Sequence, residues 1–376
     1  MLLLKNCLLN NKNVDILIEN KKIIKIGKLD EIELKKIFNN IKIEDINSKN
    51  VIPGYIDNHV HITGGGGEGS FSSRVPEIKF SEIVSNGVTT VIGVLGTDTI
   101  TRNVENLVSK TKALKEEGIT AYCLTGGYEY PSPTITGSIQ KDITFIKEII
   151  GTKIAISDHR CYNPNKDELI KLMSETRVAG LISGKKVSVN YHVGWGKGNM
   201  NILLDILKET NIPAYLIRPT HISCNDEVFD QALILAKQGA YIDITAGKDI
   251  EKSIKYILKV IEEGLFEQLT ISSDANGSVP IWKDGVCIGI TAHTMKGLHQ
   301  IIKELIIKYK IPIEQAVKIL TENPAKAMNL HNKGKIAEGK DADIIVLDEN
   351  YNISSVIALG EFVVLNSKLI KKGKYE

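Results

Sequence analysis

His59 and His61 stand one residue apart in "NHVHITGGGGEG", residues 58–69, and four consecutive glycines lead from them to Glu68. Residues i and i+2 of a strand face the same way, so an H-x-H pair can offer two imidazoles to one metal ion. Zinc takes imidazole nitrogen and carboxylate oxygen, and a catalytic site leaves a position for water. Alone, the pair fits two polar strand-end residues equally well. His192 in "VSVNYHVG", His221 in "AYLIRPTHI" and Asp274 in "LTISSDANG" shift that balance toward a metal site. Four histidines and an aspartate exceed one tetrahedral shell, which suggests two ions, and two cations need a bridging anion. These runs are read as having no spare carboxylate. Lys153, in "KIAISDHR", is the candidate, because a lysine of lowered pKa can add carbon dioxide and become a carbamate. An ordinary ion-paired lysine is the simpler reading of that residue by itself.

Side chains so far apart in sequence converge only if a regular framework brings them together. Eight apolar, β-branched runs punctuate the middle of the chain: "GYIDNHVHI", "TTVIGVLG", "AYCLTGGY", "KIAISDHR", "VSVNYHVG", "AYLIRPTHI", "AYIDITAG" and "LTISSDANG". Amphipathic stretches such as "TRNVENLVSKTKALKEEG" and "DEVFDQALILAKQG" separate them and end in glycine, a common helix stop. The pattern is α/β and fits a (β/α)8 TIM-like barrel, whose active sites lie at the C-terminal ends of the strands. A doubly wound sheet stays open as the alternative, because periodicity cannot close a barrel. His59 and His61 fall in the first run, Lys153 in the fourth, His192 in the fifth, His221 in the sixth and Asp274 in the eighth. Lys153 precedes the apolar part of its run, where a strand-end residue should follow it. At the chain ends, "NVDILIEN", "KKIIKIG" and "DADIIVLDENYNISSVIALGEFVVLNSKLI" read as short strands. They predict a small split β-sandwich domain of residues 1–52 and 335–376 around a hydrolase barrel of residues 53–334.

With 47 basic and 45 acidic residues the net charge is only +2, which offers no field for nucleic acid or an anionic membrane. Five scattered cysteines without a C-x-x-C pair suit a reducing compartment. No apolar run approaches a membrane span and no cleavage site follows the first residues, so a cytoplasmic protein acting on a small molecule is expected.

"PGYIDNHVH", "ISSDANG" and "GKIAEGKDADIIVLD" resemble the amidohydrolase superfamily of metal-dependent hydrolases. More narrowly, "HITGGGGEG", "LGTDTITR", "LTGGYEYPSPTITGS", "AISDHR", "RPTHI" and "SSDANGS" resemble the isoaspartyl (β-aspartyl) dipeptidases, nearly end to end. The resemblance implies two zinc ions: His59, His61 and Asp274 on one, His192 and His221 on the other, with carboxylated Lys153 and a hydroxide bridging them. That hydroxide would attack the β-aspartyl amide of a dipeptide, Asp274 would shuttle the proton, and Tyr128 would polarise the scissile carbonyl. It further implies that Glu68 accepts hydrogen bonds from the substrate's α-ammonium in a loop with Gly66 and Gly67. Thr97, Arg160 and Ser278 match other substrate contacts, with Arg160 suited to a carboxylate, and a homo-oligomer is expected.

One position departs. The family has an arginine three residues after the second metal histidine, where it helps hold the substrate's terminal carboxylate, and Cys224 stands there instead. This puts the leaving-residue preference in doubt and keeps a second enzyme in play, an amidohydrolase of N-acyl amino acids or cyclic amides. Arg218, the nearest basic residue, lies at an odd offset from His221, which places it on the other strand face. A binding scaffold that has lost catalysis is disfavoured because all six ligand positions are filled. His159, His293, His299 and His331 receive no role, with His293 and His299 read as helical, and Trp195 and Trp282 fall in loops.

Overall fold

All eight runs become strands: β1 (Tyr55–Val60), β2 (Val88–Gly93), β3 (Thr120–Gly126), β4 (Ile149–Ile156), β5 (Ser188–Val193), β6 (Ile217–Thr220), β7 (Ile242–Thr245) and β8 (Leu269–Ser272). The computed structural model describes residues 1–247, 249–283 and 286–376, with the side chains at 280, 282, 283, 286 and 287 outside the description. Trp282 and Cys287 therefore lie outside the described residues as side chains.

Strands β1 to β6 form one parallel sheet in chain order, and β7 pairs in parallel with β8. Polar bonds carry the curl past these ladders. The Thr220 hydroxyl donates to Asp243 at 2.7 Å, tying β6 to β7. The Asp274 amide donates to the His59 carbonyl at 3.1 Å, bringing the end of β8 against the end of β1. The strands are buried along nearly their whole length, as expected for parallel strands covered by helices. The helix Val104–Glu117 shows why: Val104, Leu107, Val108, Thr111 and Leu114 face inward at helical spacing. Asn103 caps its start, and Gly118, at φ 115°, ends it in a left-handed turn.

Strand β4 begins at Ile149, four residues ahead of the run read from the sequence, so Lys153 lies inside it rather than before it. In register, Lys153 lies beside Asn190 of β5, and Asn190 beside Arg218 of β6. His192 sits two residues further along, beside Ala155. The long lysine stem spans that step.

The chain ends fold together. Leu2–Leu9, Lys12–Glu19, Lys22–Gly27 and Lys42–Asp45 make a four-stranded sheet. Val51–Pro53 joins Ile344–Leu347, Ile353–Ala358, Glu361–Leu365 and Lys368–Leu369 in a five-stranded one. A shared apolar core mixes Leu4, Ile16 and Ile18 with Ile344, Val346 and Ile357. Lys333, nearly buried, bonds Asp341 at 2.8 Å and Asp343 at 2.5 Å beside this core. Among the described residues, no helix is long and apolar enough to cross a membrane.

Candidate active site

The loop after β1 turns sharply and is anchored to the segment that carries Asp274. The Gly65 amide donates to the Asn276 carbonyl at 2.8 Å, and the His61 amide to the Ala275 carbonyl at 2.9 Å. Gly66 has φ 77°, and a Cβ there would collide with the Ser73 carbonyl oxygen, so only glycine fits. His221 (φ 64°) and Asp274 (φ 53°) also adopt left-handed backbone without being glycine, a strain that concentrates at functional sites.

His59, His61 and Asp274 each present a ligand atom, all within 4.8 Å of one another. His61 Nε2 lies 3.1 Å and His59 Nε2 3.6 Å from Asp274 Oδ1. Burial holds both imidazoles below their ordinary pKa and so favours the neutral form, the one that ligates. Burial alone would raise the Asp274 carboxyl, but the His61 hydrogen bond and the surrounding histidines hold it well below the carboxylate range. Among the described residues, His59 Nδ1 and His61 Nδ1 are buried without a hydrogen-bond partner, while the Nε2 atom of each ring lies beside Asp274.

The other ligand candidates join this cage. The His221 ring lies 5.3 Å from that of His59 and 4.6 Å from that of His192. Lys153 Nζ lies 3.2 Å from His59 Nε2 and donates to the Leu95 carbonyl at 2.6 Å. Burial pushes its ammonium down to about 7. One ring nitrogen of His192 and of His221 is held by a neighbouring side chain, which fixes the direction of the ring. His192 Nε2 meets Asp158 Oδ2 at 2.9 Å, leaving Nδ1 2.8 Å from the Tyr128 hydroxyl. His221 Nδ1 meets the Thr245 hydroxyl at 2.6 Å, leaving Nε2 toward the cage.

At the mouth, Glu68 gathers the substrate-contact candidates. It accepts from Thr97 at 3.0 Å, Arg160 at 3.1 Å and Ser278 at 3.3 Å. Gly66 and Gly67 form the turn leading to it. Arg160 is clamped by Asp158 through Nε at 3.0 Å and Nη2 at 2.8 Å, and that bond raises its pKa. Tyr128 is buried with Arg160 5.5 Å and Lys153 5.4 Å from its ring centroid, and burial drives its phenol well above the ordinary value.

Cys224 is not part of this group. It follows His221, its amide bonds the His221 carbonyl at 3.0 Å, and its side chain packs against the apolar core. Arg218 corrects the face assignment drawn from its offset. His221 lies past the end of β6 in left-handed backbone, so strand alternation does not run through it, and Arg218 points inward, fully buried. It has no exposed surface. His293 likewise is not helical: it follows the strand Val286–Ala292, with Nε2 3.7 Å from Asp274 Oδ2. His299 does lie on a helix, Lys296–Ile307, bonded to the Tyr55 hydroxyl and the Tyr351 carbonyl. Trp195 is 74% exposed on its loop.

Asp158 is the functional residue that sequence reasoning misses. It lies just past the end of β4, and its carboxylate bonds His192 and Arg160 rather than bridging the cage. Burial would raise its pKa, but the bonds from His192 and Arg160 hold it far below the usual range. An acid directly before "HR" at a strand end is the available signal.

A parallel α/β sheet with a histidine and carboxylate cage at its strand ends is the arrangement to be set beside known enzymes. Residues 50–374 match the amidohydrolase family, and the chain belongs to it. It is similar to the β-aspartyl dipeptidase of the thermophilic keratin-degrading Fervidobacterium islandicum AW-1. The structure of that enzyme in complex with a β-Asp-Leu dipeptide is 41% identical over 98% of both chains, with a TM-score of 0.91. A second structure of the same enzyme is 40% identical, with a TM-score of 0.90 and the same coverage. More distantly, the chain is 26% identical over 96% of its length to an adenine deaminase of Clostridium perfringens, of which it spans only 57%.

Proposed function

We propose that this chain is a binuclear zinc isoaspartyl (β-aspartyl) dipeptidase, its eight strands closing a (β/α)8 barrel and residues 1–52 and 335–376 forming a small β-sandwich. His59, His61 and Asp274 would hold one ion and His192 and His221 the other, with Lys153 as a carbamate between them. The donor set fits, for it offers buried imidazoles, a carboxylate and a buried amine that, among the described residues, is hydrogen-bonded to no carboxylate. Bound there, the ion pair supplies Lewis acidity and a water that ionises near neutral pH.

The chain's own groups do the rest. Asp274, kept ionised, accepts the proton of the attacking water and returns it to the leaving amine. The Tyr128 hydroxyl, held protonated by burial, donates to the developing oxyanion beside the cage. Glu68 accepts from the substrate's α-ammonium, with Thr97 and Ser278 fixing the carboxylate, and Arg160 pairs with a substrate carboxylate. Cys224 offers the leaving residue no charge, so Arg160 carries that recognition.

The observation that carries this reading is Glu68, a carboxylate at the mouth of a metal cage where an amine must be read. The test compares β-Asp-Leu with α-Asp-Leu, N-acetyl-β-Asp-Leu, a cyclic amide and adenine. Hydrolysis of β-Asp-Leu alone supports the dipeptidase. Turnover confined to the acetylated or cyclic amide selects the second enzyme, and turnover confined to adenine overturns both.

A further inference from the structure

The backbone around the histidine pair leaves regular pairing. Strand β1 pairs with β2 at Ile56 and Asp57 and resumes at Val60, so Asn58 and His59 fall in a register break. That break lets His59 and His61 both face the cage, and every carbonyl in it needs a donor. The His59 carbonyl takes the Asp274 amide at 3.1 Å, and the Val60 carbonyl takes the Val94 amide at 2.9 Å. The Asp57 carboxylate is fixed from the side by the Ser273 amide at 3.1 Å.

The Asn58 carbonyl takes its hydrogen bond from below. Arg218 Nη1 donates to it at 3.4 Å, from a side chain with no exposed surface. Arg218 starts in the layer under the ligands, in register with Asn190 and Lys153, and reaches across the interior from β6 to β1. Among the described residues its Nε and Nη2 have no partner, and the oxygens of Asp243 are taken by Thr220, Thr270 and Ser272. A buried guanidinium so poorly paired is expensive, and an apolar side chain of similar volume would fill the space at less cost. What the arginine provides is a charged donor at the carbonyl immediately before His59.

We infer that Arg218 is a positioning residue for the metal cage, its guanidinium holding the Asn58 carbonyl, and with it the aim of His59 and His61, from beneath. The inference rests on the cage reading above. It makes Arg218 the link between the strand leading to His221 and the strand carrying His59.

The experiment compares the full-length wild type with R218M and R218K. Cobalt(II) binding is followed by visible absorption and metal content after dialysis, and melting of the metal-free proteins is recorded alongside. R218M should bind cobalt about 10- to 100-fold more weakly, the usual effect of losing a group behind a metal ligand, with shifted absorption bands. Its metal-free form should melt no lower than the wild type. R218K, whose ammonium can approach the same carbonyl, should recover most of the affinity. Wild-type affinity and bands in R218M overturn the inference. So do tighter binding, a loss that R218K does not recover, and a loss matched by lower melting. If R218M does not fold, R218Q, neutral and too short to reach Asn58, takes its place in the same comparison. A wild type that takes up no cobalt refutes the cage reading itself.

Discussion

Asp158→Asn isolates a carboxylate that bonds the cage and the mouth together. Asp158 Oδ2 lies 2.9 Å from His192 Nε2 and 2.8 Å from Arg160 Nη2, while Oδ1 takes the Arg160 amide at 2.8 Å and its Nε at 3.0 Å. Asparagine keeps the shape but has a single acceptor oxygen and no charge. At least one charge-assisted bond to His192 or Arg160 is lost, and an amide N–H is set against donors. A hydrogen bond to a charged group contributes about 1.5–3 kcal/mol, which converts to roughly ten- to 150-fold.

The loss should register in two places. His192, no longer tied at Nε2, presents Nδ1 less well, so metal content after dialysis should fall. Arg160, no longer clamped, should raise KM for a free-acid dipeptide. Steady-state kinetics with β-Asp-Leu, with metal measured on the same samples, separates the two, because saturating zinc restores the first and not the second. A variant within about twofold of the wild type in kcat/KM, with full metal content, would refute the assignment of Asp158 to both.

Other expectations are independent of it. Lys153→Ala should abolish hydrolysis, and a short carboxylic acid added to that variant should restore part of it; full activity in the alanine variant would end the bridging role. Glu68→Gln should cost roughly ten- to a hundredfold in kcat/KM with the free-amine substrate and much less with an N-acetylated one, so an equal loss on both means that Glu68 does not read the amine. Lys333→Met leaves Asp341 and Asp343 without their shared cation and should destabilise the fold by about 3–5 kcal/mol in denaturant melts, with no change meaning that the cluster is inert. Burial works against the Lys333 charge, but Asp343 and Asp341 outweigh it and raise its pKa. Its contribution is therefore complete below the unfolded value of about 10.4 and lost as pH rises through the folded one. Asp341 is also opposed by burial, but Lys333 and Lys22 hold its pKa down, so its contribution is present above the unfolded value of about 3.9 and lost as pH falls through the folded one.

What can be read from the sequence follows the reach of each interaction. The eight strands are legible because parallel strands buried on both faces need unbroken apolar runs. His59, His61, His192, His221 and Asp274 are legible because a polar side chain closing such a run gains little from packing and stands where several strands point their ends together. Lys153 looks misplaced only because β4 begins in "IIGT", where a glycine and a threonine interrupt the apolar signal. Asp158 is hidden for a different reason. Its partner His192 is 34 residues away on the neighbouring strand, and no local pattern marks a carboxylate as the support of a distant imidazole.

Arg218 shows where alternation itself fails. Counting back from His221 by twos assumes continuous strand geometry, but β6 ends at Thr220 and His221 turns into left-handed backbone. The same turn that aims His221 at the cage lets Arg218 enter the interior three residues earlier. Residues that bind substrate or metal announce themselves by type and position, whereas those that hold them in place depend on exact backbone direction. Cys224 belongs to neither group: the departure is visible at once in the sequence, but that its side chain packs against the apolar core is visible only in the structure.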